Sequence, residues 1–192
     1  MILLVLLAVF SSAHSDAAPR AGKPEPATNK NASKLFDSPQ TFYLLYRSEK
    51  SDTKLGGESK CFQMKYYEAR RGRKEFLTQL LFRDNSTGRM DVHSIVIVLE
   101  KSNKSLEYYD RLEARNHIAT RYETYDLLFT DYQTCFTLRR ISDDLHQVWM
   151  IDRRDTKDIS SLCESAYQGP VNEDGCAVPR PEYKIFDPEI CQ

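Results

Sequence analysis

The residues best placed to do chemistry are five cysteines, Cys61, Cys135, Cys163, Cys176 and Cys191, and the histidines His93, His117 and His146. The cysteines stand far apart with no C-x-x-C pair, which argues against zinc ribbons and thioredoxin-like redox motifs and leaves disulfides as their chemistry. Two bridges with one cysteine left over is the simplest arithmetic, and spacing alone does not choose among the pairings. The histidines lack the i,i+4 or loop spacing of a metal site and read as ordinary strand histidines, so no metal is expected. G-x-S-x-G, H-E-x-x-H, the P-loop and G-x-G-x-x-G are all missing from the chain. Cys176 is the one nucleophile candidate. It lies in a Gly- and Pro-flanked loop, NEDGCAVPRP, where a free or alternatively paired surface thiol is a better reading than catalysis. No catalytic constellation appears, so neither an enzyme nor a cofactor is expected.

Two other clusters carry chemistry of a weaker kind. The basic run ARRGRKE, Ala69 to Glu75, is able to meet a heparin-like polyanion, but a solvated hairpin turn explains it as well. Asn31, Asn85 and Asn103 open N-x-S/T sequons, and the last two fall in expected hairpin loops, where a secreted protein would carry glycans. Net charge is −1, so no overall field favours nucleic acid or an anionic membrane.

The elements that must position these residues are mostly strands. Residues 1–15 form a short apolar run followed by the small-x-small site Ala13-His14-Ser15, read as a secretory signal. Residues 16–33, rich in Pro, Ala, Lys and Asn, are expected to be a flexible leader. Residues 34–192 then make one domain, and no later segment is apolar enough to span a bilayer. Strand-like segments follow at short intervals: Thr41 to Arg47, Lys60 to Ala69, Glu75 to Arg83 and Val92 to Glu100, separated by Gly- and Asn-containing turns. Leu106 to Asn116 is read as a strand despite some helical periodicity. Arg121 to Cys135, RYETYDLLFTDYQTC, sets aromatic and aliphatic residues between single charges, as two half-buried strands and their turn would. Cys135 to Arg139 and His146 to Ile151 complete the series. A helix is expected from Asp155 to Tyr167, capped by Asp155 or Thr156 and ended by Gly169-Pro170. Regular short strands read as a closed antiparallel barrel or a sandwich.

RYETYDLLFTDYQTC, the Trp149 motif about a dozen residues later, and Cys163 within DISSLCESAY occur in the order seen in the tick salivary lipocalins of the histamine-binding family. The chain resembles that family from about Phe42 to Cys191. The resemblance implies a mainly β fold: a lipocalin-type eight-stranded antiparallel up-and-down barrel with a C-terminal α-helix. It implies the pairs Cys61–Cys191 and Cys135–Cys163, with Cys176 as a departure. It implies a secreted salivary protein, monomeric, that sequesters a small host mediator to suppress host inflammation and immunity.

Tyr122, Phe129 and Trp149 match the family's aromatic cavity positions, and Asp131 matches an acidic one. Amine-binding members place one acid directly after the cysteine and another before the Leu-Trp pair, because a buried ammonium needs an opposite charge. Here Phe136 and Gln147 stand at those positions. The resemblance suggests histamine or serotonin, whereas the lost acids argue for a more apolar, lipid-like ligand. The alternative is a barrel that serves as scaffold while its outer surface binds a host immune protein.

Overall fold

The computed structural model describes residues 29–70, 72, 74–116, 121–152, 158–169 and 179–191. The expected signal, most of the expected leader, His117 and Cys176 lie outside these residues. Eight strands run in chain order: β1 (Gln40–Arg47), β2 (Lys60–Arg70), β3 (Glu75–Arg83), β4 (Met90–Glu100), β5 (Arg111–Asn116), β6 (Arg121–Thr130), β7 (Cys135–Arg140) and β8 (His146–Ile151). Each pairs antiparallel with the next, and β1 pairs with both β8 and β2, so the sheet closes into the expected eight-stranded barrel. Closure removes the unpaired edges that an open sheet would present.

Period-two alternation sets which side chains enter the barrel. In β3, Phe76, Thr78, Leu80 and Phe82 are buried while their neighbours are half-exposed. In β4, Ile95, Ile97 and Leu99 repeat the pattern. These residues join Phe42, Phe62, Met64, Leu112, Phe136, Leu138 and Trp149 in one continuous core.

Both ends of the barrel are stopped. At one, a 3-10 helix (Ala32–Phe36) caps itself through Asn31, whose side chain accepts from Ser33 N. It drives Phe36 against Phe76 at 4.5 Å and edge-on to Phe42 and Tyr66. The expected flexible leader therefore ends early. Ala32 is fully buried, and Asn29 O accepts from Thr130 N at 3.0 Å. Fully burying a side chain such as Phe36 contributes about 1.5–3 kcal/mol, and Ala32 and Leu35 are buried with it. At the other end lies the β1–β2 loop, residues 48–59, from which Leu55 packs against the core.

β1 and β2 pair only over Gln40 to Tyr43. Beyond that the gap is filled by the C-terminal tail. The two-residue strand β9 (Tyr183–Lys184) pairs with Tyr46 and Arg47, Ile185 N donates to Leu45 O at 2.9 Å, and Cys61 N donates to Ile185 O at 3.0 Å. Ile185 enters the core and Phe186 packs outside it. The Cys61–Cys191 disulfide fastens this tail to the start of β2.

The helix α1 (Ser161–Gln168) has Ser160 as its N-cap, and the expected capping residues Asp155 and Thr156 lie outside the described residues. It lies on the outer face of β6, β7 and β8 and is held by Cys135–Cys163. Thr137 Oγ1 also donates to Cys163 O at 2.9 Å. Both expected disulfides are thus present. Two strand expectations need correction. Only Arg111–Asn116 of the segment from Leu106 is a strand, and Arg121–Thr130 is one strand rather than two with a turn. Asp126 lies within that strand, points outward and accepts from Arg111 Nε at 2.8 Å and a terminal nitrogen of Arg139 at 2.7 Å.

Candidate functional site

Inside the barrel a void of about 30 Å³ remains, walled by Met64, Leu80, Ile97, Leu112, Leu138 and Trp149. Space of this size holds only a water or two. The polar groups on its wall are Tyr125, Gln147 and the Trp149 indole N–H. Gln147 and Trp149 sit on alternate positions of β8 and so face the same way. The indole Nε1 donates to Gln147 Oε1 at 3.0 Å, which satisfies the indole N–H and the amide oxygen. Phe136, on the neighbouring strand, lies parallel to Trp149 at 6.0 Å and edge-on to Phe42 at 5.1 Å. The two positions where the resemblance implies acids in amine binders, 136 and 147, are therefore occupied by an aromatic ring within the core and a neutral amide bound to its neighbour.

The loop end of the barrel is polar. Arg140 and Asp52, each 1% exposed, form an ion pair at 2.6 Å. Arg140 also reaches Asp143 at 2.7 Å. Asp52 Oδ1 accepts from Lys54 N and Leu55 N, and the Asp52 backbone makes reciprocal bonds with Gly57. Arg47 donates to the carbonyls of Glu49, Lys50 and Gly57. These bonds fold the loop down over the core. Gly56 lies so close to the stacked Phe62 and Phe82 that a Cβ there would meet the Phe62 ring at 3.0 Å, and its φ of +74° favours glycine. Glu123, largely buried on β6, accepts from Ser142 Oγ at 2.6 Å and pairs with the exposed Lys54 at 3.2 Å.

Burial raises the Tyr125 phenol well above its ordinary range, and the Asp52 carboxylate adds to the effect. Burial opposes the charge on Arg140, but its bonds to Asp143 and Asp52 outweigh this and hold the guanidinium firmly protonated. Among the described residues, Asp52 Oδ2 is buried without a hydrogen-bond partner, and the buried Tyr125 hydroxyl has only Arg140 beside it. Such atoms cost free energy unless something meets them.

Of the residues expected to bind ligand, the structure brings Gln147 and Trp149 together at the void. The side chain of Tyr122 lies outside the described residues. Phe129 is not in the interior. A register shift between Leu127 and Phe129 turns it outward, where it joins Tyr46, Cys135, Cys163 and Tyr167 beneath α1. Asp131 belongs to the β6–β7 turn at the opposite end from the loop. Its carboxylate accepts from the backbone N–H groups of Gln133, Thr134 and Cys135 at 2.8–3.0 Å and from the Thr134 hydroxyl. Burial works against the charged form, but these hydrogen bonds prevail and hold the carboxyl below its ordinary value.

The buried acids at this end of the barrel, Asp52 and Glu123, escaped the sequence reading. Glu123 shares the alternation of Tyr125 and Leu127 and was in that sense legible. Asp52 meets Arg140 across 88 positions of sequence and left no local signal. A larger cavity, about 490 Å³, lies outside the barrel between α1 and the wall, bordered by Leu128, Phe129, His146, Leu162 and Ala166.

The sequence from residue 21 to 192 matches the family model described as tick histamine binding protein. No curated protein sequence matches the chain. Among solved structures, the AM182 serotonin complex superimposes with a TM-score of 0.57 at 14% identity, covering 84% of this chain and 92% of that one. At this identity the likeness is one of fold. A biogenic amine-binding protein, solved as its selenomethionine derivative, aligns with a TM-score of 0.47 at 10% identity over 80% of this chain and 85% of that one.

Proposed function

Because the chain belongs to the tick histamine-binding family of lipocalins, we propose that it is a secreted salivary carrier. In this reading it captures one small host mediator stoichiometrically inside the barrel and so blunts the host's response. The neighbour solved with serotonin keeps amines among the candidates. The observation that shapes our reading of the ligand is the wall of the inner void, whose polar groups are Tyr125, Gln147 and the Trp149 N–H and which includes no carboxylate among the described residues. An ammonium placed there would lack the opposite charge it needs, whereas an apolar, lipid-like molecule with one or two hydrogen-bonding groups would be met. Its polar end belongs at Gln147 and the Tyr125 hydroxyl. The void is smaller than any such ligand, so binding requires the β1–β2 loop to lift Leu55 away.

Secretion accords with the two disulfides, and no helix among the described residues is long and apolar enough to cross a membrane. Asn85 and Asn103 lie in exposed turns, where glycans are expected. Isothermal calorimetry of the secreted protein with histamine, serotonin and a panel of small lipids tests the reading. A lipid should bind one to one, with histamine at least a hundredfold weaker than in members that keep both acids. Sub-micromolar histamine binding would overturn it. The nearly filled interior also favours a second reading, in which the barrel is a scaffold and its outer surface binds a host immune protein. Absence of any small-molecule binding together with capture of such a partner would select it.

A further inference from the structure

The cavity outside the barrel has the size and lining of a ligand site, and nothing in the barrel reading uses it. At about 490 Å³ it falls in the range of small-molecule pockets, while the void inside is about 30 Å³. Its floor is Leu128, outward by alternation, and Phe129, brought outward by the β6 bulge, and its roof is Leu162 and Ala166 on α1. Cations gather where the helix ends, near Gly169. Arg180 turns its guanidinium to the Tyr167 carbonyl, and Arg139 approaches from β7. A terminal nitrogen of Arg139 is paired with Asp126 at 2.7 Å, while its Nε, among the described residues, is buried without a hydrogen-bond partner and stands 4.0 Å from the exposed Asp144. Lys30 borders the groove as well, and Asp144 is its only carboxylate among the described residues. An apolar slot ending at two guanidiniums is complementary to a chain with a negative head.

We propose that this groove is a second binding site, for a single-chain amphipathic anion whose alkyl chain lies between Leu128, Phe129 and Leu162 and whose headgroup meets Arg139 and Arg180. The ligand chemistry is shared by fatty acids and alkyl phosphates, and the site is independent of what the barrel holds.

Displacement of a fluorescent polyene fatty acid from the full secreted protein provides the assay, with oleate, hexadecyl phosphate and oleyl alcohol as competitors. Oleate or hexadecyl phosphate should displace the probe saturably at one site, their ratio identifying the headgroup, and the alcohol should be at least tenfold weaker. Leu162→Glu sets an acid beside the chain at an exposed position and should weaken the anions at least tenfold with an unchanged melting curve. Arg180→Gln should lower the preference for anion over alcohol. A diazirine-bearing palmitate should cross-link to α1 and Leu128. Equal affinity for the alcohol, or no saturable displacement, would overturn the proposal. Cross-links confined to Met64, Leu80 and Leu112 would also overturn it, while leaving capture inside the barrel standing.

Discussion

Replacing Gln147 by Glu restores a carboxylate at the void with almost no change of shape, and the structure sets the size of the effect. The Trp149 indole N–H, 3.0 Å from Gln147 Oε1, is able to donate to either side chain, so the local hydrogen bond survives. Gln147 is 2% exposed among apolar neighbours. There the new carboxyl is pushed up by burial and is largely uncharged until a cation arrives. A buried ion pair costs about 3–5 kcal/mol to break. Allowing about 1 kcal/mol to ionise the acid on binding leaves about 2 kcal/mol or more in favour of an ammonium, which is about thirtyfold in affinity. Both proteins must lift the same loop to admit ligand, so that cost cancels in the ratio. Calorimetry with histamine at pH 7 should therefore show Gln147→Glu binding at least about thirtyfold tighter than wild type, with the lipid affinity unchanged or weaker. A folded variant, verified by near-UV circular dichroism, with no gain for histamine would refute the placement of position 147 at the ligand.

Three further perturbations follow from the same geometry. The Cys61–Cys191 bridge spans 130 residues and Cys135–Cys163 spans 28; in the chain-entropy picture their loss costs about 5 and about 3.6 kcal/mol. Urea melts of the paired Cys→Ser variants should show that order, and loss of the first should free the tail to proteolysis at Ile185. His146 is buried beneath α1, and desolvation depresses its folded value below that of the unfolded chain, near 6.5. Its contribution is then complete above about pH 6.5 and is lost as pH falls through the folded value, with a slope of at most about 1.4 kcal/mol per pH unit. Denaturant midpoints from pH 7.5 to 5 should fall less steeply for His146→Gln than for wild type. Asp131→Asn removes charge-assisted hydrogen bonds in the β6–β7 turn and should lower stability by about 1–3 kcal/mol while leaving amine affinity unchanged. A specific loss of amine binding would place Asp131 at the ligand after all.

What the sequence disclosed depended on how local the deciding interaction was. Glu75–Arg83 was legible to its ends because one face of β3 is buried throughout and alternation is the whole signal. Phe129 was misplaced for the converse reason. The resemblance to the family set it in the cavity, and one register shift, which leaves no mark in composition, carries it out. The plug at Ala32–Phe36 was obscured by the polar, Pro-rich stretch before it, although Leu35 and Phe36 are the first large apolar residues after the signal. The disulfide pairs followed from likeness to a family, since spacing alone left them open. The Asp52–Arg140–Tyr125 cluster was beyond reach, because its members come from a loop and two strands that meet only when the barrel closes.

Trp149 is the chain's one tryptophan and lies at the inner void, which makes its fluorescence the most direct test of capture inside the barrel. Titration of the secreted protein with the best ligand from the calorimetric panel should shift or quench the Trp149 emission saturably, at one ligand per chain. Histamine at the same concentrations should leave the emission nearly unchanged. Tight binding of the ligand with no change in Trp149 emission would contradict the account by placing the ligand outside the barrel. So would a saturable response to sub-micromolar histamine, which would show that the interior meets a cation without an acid at Phe136 or Gln147.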